Sequence, residues 1–263
     1  MITSNQGVDT LTGVEQVNLN GQIIRLGPDE VRVNTTTFGQ QEASNVQALP
    51  DGGWLVCWMS AGQDGSGKGI YQQRFASTGL AIGSETQVNT TTINDQLYPC
   101  VTSLTDGGWV VCWTSIDQDG SGRGTYQQRF SANGSPSGGE VRINSTTADW
   151  QYNPSVTGLA DGGWLVCWTS RNQDGSSYSI YQQRYSAQGT AVGGEVRVNT
   201  TASAQYDNTV TALTDGGWLV SWSSWAQDGD AGGIYQQRYS AQGTTVGGEV
   251  QVNTTTNEQD YAS

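Results

Sequence analysis

The chain has 263 residues and a formal net charge of −13. This acidity argues against nucleic-acid and anionic-membrane partners, because phosphate binding needs a basic surface. Histidine is absent, which removes the most frequent general base, the Ser-His-Asp triad and most zinc sites. No apolar run is long enough to cross a bilayer, so we expect no membrane insertion. The 36 glycines favour many short strands joined by tight turns.

The first 29 residues stand outside any repeat. Apolar residues between Val14 and Leu26 flank the dipeptide Asn20-Gly21, a frequent two-residue hairpin turn. The sequence therefore predicts an N-terminal β-hairpin extension over residues 1–29.

One octapeptide organises the rest of the chain. It reads DGGWLVCW at Asp51 and returns, with small changes, at Asp106, Asp161 and Asp215, with spacings of 55, 55 and 54 residues. A fixed period of this size is typical of repeat architectures. Asp-Gly-Gly supplies the backbone freedom of a tight turn, and the residues after it suit a strand. Both faces of that strand are apolar, which indicates a strand covered on both sides.

Each repeat contains four predicted strands joined by three hairpins, which is the plan of a propeller blade. The sequence predicts an all-β, four-bladed propeller over residues 30–263, with repeat units at about 43–89, 98–144, 153–199 and 207–253. The fourth strand occurs five times, the first copy being Glu30–Asn34. A partial fifth unit follows at 254–263, where Gln259 and Tyr261 match Gln96 and Tyr98. The surplus strand and the unfinished unit predict head-to-tail pairing of copies.

The DGGW and IYQQR segments resemble tandem repeats of large secreted bacterial proteins of the RTX and adhesin type. Residues 1–29 resemble the stretch that often follows calcium-binding nonapeptide repeats in those proteins, although the nonapeptides are absent here. The resemblance implies an extracellular or cell-surface β-propeller-like array exported by type I secretion. It implies no known activity.

Acidic residues recur at equivalent positions of every unit, in the DGG turns and at the start of the fourth strand. An active site normally breaks the symmetry of its scaffold, and no catalytic triad or carboxylate dyad stands out. The sequence therefore predicts no catalytic residue and a non-enzymatic protein.

The QDG loops suggest calcium as a cofactor. The candidate ligands are Asp64, Asp117, Asp119, Asp174 and Asp228. Calcium takes six or more oxygens, however, and the loops lack a closing bidentate glutamate. We therefore favour the alternative that these aspartates shape hairpin loops.

Eight tryptophans recur in the octapeptides, which indicates core packing between blades. Six other aromatic residues are candidates for contacting a carbohydrate or a protein: Trp150, Trp225, Tyr98, Tyr152, Tyr206 and Tyr178. Aromatic side chains in loops supply apolar faces for such contacts. The alternative is partial burial against a neighbouring loop.

Two further patterns predict pairings. The arginine of each YQQR segment is expected to pair with the fourth-strand glutamate, rather than to form a ring for anionic sugars. Cys100 falls almost opposite Cys112 when the second hairpin is folded, which predicts a cross-strand disulfide. The alternative is that all four cysteines are buried, inert thiols.

Two functions compete. The first is a structural building block of a surface-associated or filamentous assembly, whose partner is the protein itself. The second is a lectin-like module that binds surface glycans in symmetric inter-blade pockets. The terminal strands favour the first function slightly.

Overall fold

The structure is a computed structural model that describes residues 32–175, 177–227, 229 and 232–254, together with two strands of the N-terminal segment. The chain divides into two units, Met1–Thr35 and Thr36–Ser263. In the first unit, β1 (Gln16–Leu19) and β2 (Gln22–Arg25) pair antiparallel, with Val17 opposite Ile24. This is the hairpin that the sequence predicts.

The second unit consists of four antiparallel sheets, each of four strands in chain order. The first sheet contains β3 (Gln41–Ala48), β4 (Trp54–Ala61), β5 (Lys68–Phe75) and β6 (Ala81–Gln87). The second contains β7 (Gln96–Ser103), β8 (Trp109–Ile116), β9 (Arg123–Phe130) and β10 (Val141–Arg142). The third contains β11 (Gln151–Gly158), β12 (Trp164–Arg171), β13 (Tyr178–Tyr185) and β14 (Ala191–Arg197). The fourth contains β15 (Gln205–Ala212), β16 (Trp218–Trp225), β17 (Gly232–Tyr239) and β18 (Val250–Gln251).

These sheets are the blades of a propeller, as predicted from the repeat. The second strand of each inner blade is covered on both faces: in β8, every residue except the last is buried. Apolar burial on both sides of a strand is the arrangement that the octapeptide pattern predicts. In the residues that the structure describes, no helix is long and apolar enough to cross a membrane.

The DGG turn fixes the hairpin between the first and second strands of each blade. Gly52 has φ of +84°, and a Cβ atom on Gly53 would lie 2.2 Å from the carbonyl oxygen of Phe75. Asp51 accepts a hydrogen bond of 3.0 Å from the Gly53 N–H. Both glycines are therefore required, one by its backbone conformation and the other by the close approach of the third strand.

The first strand of each blade begins two residues before the predicted start of its repeat unit. The units are predicted to start at about 43, 98, 153 and 207, but β3, β7, β11 and β15 begin at Gln41, Gln96, Gln151 and Gln205. Gln96 is fully buried, accepts a hydrogen bond of 2.9 Å from Asn89 and donates one of 3.2 Å to the Ile93 carbonyl. This glutamine therefore fixes the start of the strand to the chain segment that precedes it.

Successive blades are joined by one repeated hydrogen bond. The indole N–H of Trp109 donates to Gln72 of the preceding blade at 2.9 Å, and Trp164 and Trp218 repeat the bond at 2.8 and 3.0 Å. These three tryptophans are at most 2% exposed. The prediction that the repeating tryptophans form the core between blades is confirmed.

The two end faces of the blade array are more exposed than the three internal seams. Trp54 in the first blade is equivalent to the tryptophan of the inter-blade hydrogen bond, and Gln236 in the fourth blade is equivalent to its glutamine. Both are only partly buried. Val46 is 66% exposed, whereas its equivalent Val101 is 6% exposed. The strand predicted at Glu30–Asn34 is not formed in its described part, 32–34, because β17 already pairs with β18.

The pairing predicted for the YQQR arginines is wrong. Each of them forms an ion pair with the aspartate of its own DGG turn, as in Arg184–Asp161 at 2.6 Å. The reason is the register, which sets Arg184 opposite Leu165, four residues after Asp161. The fourth-strand glutamates instead contact the preceding blade, where Glu195 accepts a hydrogen bond of 2.7 Å from the Ser145 N–H.

These ion pairs predict a loss of stability in acid. The pKa is lowered for Asp51, Asp161 and Asp215. The main cause is the hydrogen bond from Arg74 for Asp51, and the Gly217 N–H for Asp215. A lowered folded-state pKa gives stability that is present above the unfolded value, about 3.9, and is lost as pH falls through the folded value.

We therefore expect the urea concentration at the midpoint of unfolding to be lower at about pH 2.5 than at about pH 6. The double variant Asp51→Asn, Asp215→Asn should show a smaller decrease over the same pH range. A double variant as sensitive to acid as the unmodified protein would contradict this assignment.

Candidate functional site at the channel mouth

The first strands of the four blades, β3, β7, β11 and β15, line a channel of about 530 Å³. Each contributes the residues just after its buried glutamine, for example Asn153 on β11 and Asp207 on β15. Its volume exceeds that of the inter-blade clefts at the DGG ends of the blades, which measure about 150–180 Å³. Ligand sites prefer such concave surfaces, which makes the channel a candidate functional site.

A β-bulge interrupts each of these strands at the channel. The register shifts after Glu42, Leu97, Tyr152 and Tyr206. The next residue has positive φ in every blade: Ala43 at 51°, Tyr98 at 54°, Asn153 at 51° and Asp207 at 50°. None of the four is glycine, so each carries backbone strain that the surrounding sheet must hold. Bulges of this kind re-aim side chains and are frequent next to active sites.

The symmetry of the repeat breaks at this end of the blades. The positive-φ residue of the bulge is alanine, tyrosine, asparagine or aspartate. The glutamine two residues before it and the valine three residues after it are the same in all four blades. The last residue of the second strand also varies, as Ala61, Ile116, Arg171 and Trp225. So does the first residue of the third strand, which is lysine, arginine, tyrosine or glycine. These positions lie at the same end of the blade, because antiparallel neighbours start where their partners end.

Aromatic side chains meet at this end, in what we call the mouth cluster: Trp150, Tyr152, Tyr178 and Tyr206 with Arg123 and Arg171. The Tyr178 ring lies 5.0 Å from that of Tyr206 and 6.3 Å, edge to face, from that of Tyr152. The contact between Tyr178 and Tyr206 joins the third blade to the fourth. Aromatic pairs at such distances stabilise by about 0.5–1.5 kcal/mol each, so the rings hold one another in place.

The two arginines of the mouth cluster rest on its rings. The guanidinium carbon of Arg123 lies 5.0 Å from the centroid of Trp150 and 5.5 Å from that of Tyr152. The guanidinium of Arg171 lies 4.9 Å from the same Trp150 centroid and 6.0 Å from that of Tyr178. A guanidinium on an aromatic face is attracted by the ring electrons and keeps its N–H edge available.

Tyr152 of the cluster directly precedes Asn153, which lines the channel. Burial, followed by the neighbouring Tyr178 and Tyr206, raises the pKa of Tyr152 to about 12, and Asp207 acts in the same direction. Arg123 acts against them. The phenol therefore keeps its proton at neutral pH and can donate a hydrogen bond at the channel mouth.

Four of the six predicted aromatic contacts, Trp150, Tyr152, Tyr178 and Tyr206, belong to the mouth cluster. Tyr98 lines the channel and is 45% exposed. Trp225 is 50% exposed at the end of β16, where the equivalent residue of the third blade is Arg171. Sequence reasoning missed Arg123, Arg171, Asn153 and Asp207. The signal that would have found them is the variation between repeats at these positions.

The predicted calcium ligands lie in the QDG loops of different blades, with Asp117 and Asp119 in one loop, and their carboxylates have partners within the protein. Asp64 accepts from the Ser66 N–H at 3.1 Å, and Asp119 accepts from the Ser121 N–H at 3.2 Å. Asp117 accepts from the Gly122 N–H at 3.0 Å, and Asp174 forms an ion pair with Arg197 at 2.9 Å. Asp228 lies outside the described residues. Within the described ranges, no group of three acidic, cysteine or histidine side chains could hold a metal ion.

Cys100 and Cys112 lie directly opposite each other on β7 and β8. All four cysteines are free in this structure. The predicted disulfide is therefore not formed here, although the strand register places the two residues as expected. Cys57 and Cys167 are buried, and burial raises the pKa of both thiols.

No protein-family model and no curated protein matches the sequence. Solved structures match in fold. An α-L-arabinanase from Penicillium chrysogenum, in complex with arabinobiose, has a TM-score of 0.59 and 15% identity, covering 87% of this chain and 69% of its own. An α-L-arabinofuranosidase from Lactobacillus brevis has a TM-score of 0.53 and 11% identity, covering 82% and 78%. A protein of unknown function from Dyadobacter fermentans has a TM-score of 0.56 and 14% identity, covering 80% and 68%.

At these identities the likeness shows the fold. It nevertheless overturns the expectation of a non-enzymatic structural, filamentous or adhesive repeat protein, since several of the propellers that this chain resembles are named as enzymes. The error came from searching the repeated positions for catalytic groups. The side chains that distinguish the blades occupy the positions that do not repeat.

Proposed function

We propose that this protein is a carbohydrate-active propeller that binds a glycan chain across its channel mouth. The observation that supports this best is that Tyr152 and Tyr206 of the mouth cluster directly precede Asn153 and Asp207, which line the channel at the end where the repeats differ. Tyrosine rings supply flat apolar surface for sugar rings, and the amide and carboxylate supply hydrogen bonds to hydroxyl groups. The names of the similar propellers, an arabinanase and an arabinofuranosidase, agree with a glycan ligand.

Removing one ring from the platform should weaken this binding. We expect Tyr178→Ala and Tyr206→Ala each to raise the Kd for a bound oligosaccharide three- to tenfold, because an aromatic contact is worth about 0.5–1.5 kcal/mol. The measurement is calorimetric titration with a panel of soluble polysaccharides that includes arabinan. The matched control is Leu80→Ala, an exposed apolar residue in a turn at the DGG end of the first blade. If the control weakens binding as much as the tyrosine variants, the ligand lies elsewhere.

Cleavage of the bound glycan is a second function, and Asp207 favours it. Glycoside hydrolysis generally employs two carboxyl groups, one acting as an acid and the other as a base or nucleophile. Asp207 lines the channel, and Glu42 precedes the bulge of β3 at the position that Tyr206 holds on β15. The Glu42 carboxylate forms an ion pair with Lys68. Glu42 and Asp207 are therefore the two carboxylates to test.

The test is the release of reducing sugar from the polysaccharide that binds most tightly. We expect Asp207→Asn and Glu42→Gln to reduce this rate at least a hundredfold, the range of a lost acid or base, without changing the Kd more than a few-fold. Binding without any release by the unmodified protein would reject cleavage and leave glycan binding intact.

A further inference from the structure

We propose that Arg123 and Arg171 form an oxyanion site at the channel mouth, so that the glycan bound there is an acidic one, carrying carboxylate or sulfate groups. This inference rests on the proposed glycan binding and names the class of glycan.

The two guanidinium groups contact the same ring, so their carbons lie no more than about 10 Å apart. Both lie within about 5 Å of the Trp150 centroid, and each has a second aromatic neighbour in the mouth cluster. Both side chains are half-buried. A planar group fixed by its face presents its N–H edge in a set direction, and such an edge matches a carboxylate or sulfate in a bidentate manner.

Five other arginines are neutralised. Arg74, Arg129, Arg184 and Arg238 on the third strands, and Arg197 on β14, each form an ion pair with an aspartate. Arg142 on β10 instead donates from its guanidinium to the Asn144 carbonyl at 3.1 Å. Arg123 and Arg171 have no carboxylate partner among the described residues, although the chain carries 24 acidic residues against 11 basic ones. Two cations that share one ring and have no carboxylate partner in the described part of the chain are unexpected at so acidic a composition. They are available to an anion from outside.

The first blade shows what has changed at these positions. Lys68 occupies the position of Arg123, and there Glu42 of the same blade neutralises the cation. The backbone N–H of Lys68 also donates to the side chain of Asp95, which precedes the first strand of the following blade, at 2.9 Å. At the second seam the positions of both acids carry uncharged residues, Leu97 and Trp150. The cation is therefore kept while its two acidic neighbours are replaced, and Arg171 adds a second cation where the first blade has Ala61.

The deciding experiment measures binding of three polymers by calorimetry and indole fluorescence: polygalacturonate, a sulfated dextran and neutral arabinan. We expect at least one acidic polymer to bind tighter than arabinan, with an affinity that falls as salt rises. The double variant Arg123→Met, Arg171→Met keeps the apolar stems and removes both charges. It should weaken acidic binding ten- to hundredfold and remove its salt dependence, a far larger loss than the same variant causes in arabinan binding.

The matched control is Lys68→Met, which removes the equivalent but already paired cation and should change acidic binding less than threefold. The relative affinity for the two acidic polymers assigns the group as carboxylate or sulfate. Equal binding of acidic and neutral polymers, unchanged in the double variant, would overturn the oxyanion site while the proposed glycan binding stands. Binding of none of the three polymers would remove both.

Discussion

Replacing Trp164 by alanine is expected to destabilise the propeller by about 3–5 kcal/mol, the range of a fully buried tryptophan. Trp164 is 1% exposed, stacks on Tyr185 at 5.3 Å and donates to Gln127 at 2.8 Å across the seam between the second and third blades. Its removal opens a cavity and leaves the Gln127 oxygen buried without its donor, which adds to the loss. The measurement is the free energy of unfolding from urea titration followed by circular dichroism.

The repeat provides a matched control for this prediction. Trp54 occupies the same position in the first blade and stacks on Phe75 at 5.5 Å, but it is only partly buried and lies at the end of the array. We expect Trp54→Ala to lose less than half as much stability, because the neighbouring blade that would bury its other face is missing there. Equal losses in the two variants would mean that stability resides within single blades rather than in the seams.

The Trp164 prediction follows from the part of the molecule that sequence describes best. Repetition revealed the blades, since the DGGW octapeptide combines a turn that demands glycine with a strand that is apolar on both faces. The ion-pair partner of Arg184 was missed, because two acidic residues of the unit were available and strand register alone decides between them. The bulge was missed as well, because residues at 43, 98, 153 and 207 share no residue type that announces a positive φ.

The candidate site was recoverable only in part for a related reason. The six aromatic residues were selected because they break the repeat, and four of them do meet. Arg123, Arg171 and Asp207 break the repeat equally, yet their roles depend on the ends of three different strands coming together. A search for symmetry identifies a scaffold, whereas the site lies where neighbouring units diverge. That is why the repeats in the sequence favoured a structural protein, whereas our proposal of a ligand site rests on the channel mouth.

Oxidation should join Cys100 to Cys112 and raise the free energy of unfolding by about 3 kcal/mol, the value expected for closing so short a loop. The two residues are directly opposite on β7 and β8, and Cys100 is half-buried and lines the channel, where an oxidant can reach it. With oxidised glutathione, the Cys100 thiolate would first form a mixed disulfide and release one glutathione. Cys112 would then attack the Cys100 sulfur and release the second glutathione, leaving the protein two hydrogen atoms lighter.

Burial raises the pKa of Cys112 well above its usual range, so the second step should be slow near neutral pH and faster in alkali. The replacement Cys112→Ser should stop the reaction at the mixed disulfide on Cys100. The repeat again supplies the control: Cys57 faces Asn45 and Cys167 faces Ser155, so neither has a thiol opposite it on the neighbouring strand. Mass spectrometry that finds all four thiols free to alkylate after oxidation and denaturation would contradict the pairing. Cys100 lines the channel two residues after the bulge residue Tyr98. A disulfide found only between these two cysteines would therefore mean that oxidation alters the lining of the channel.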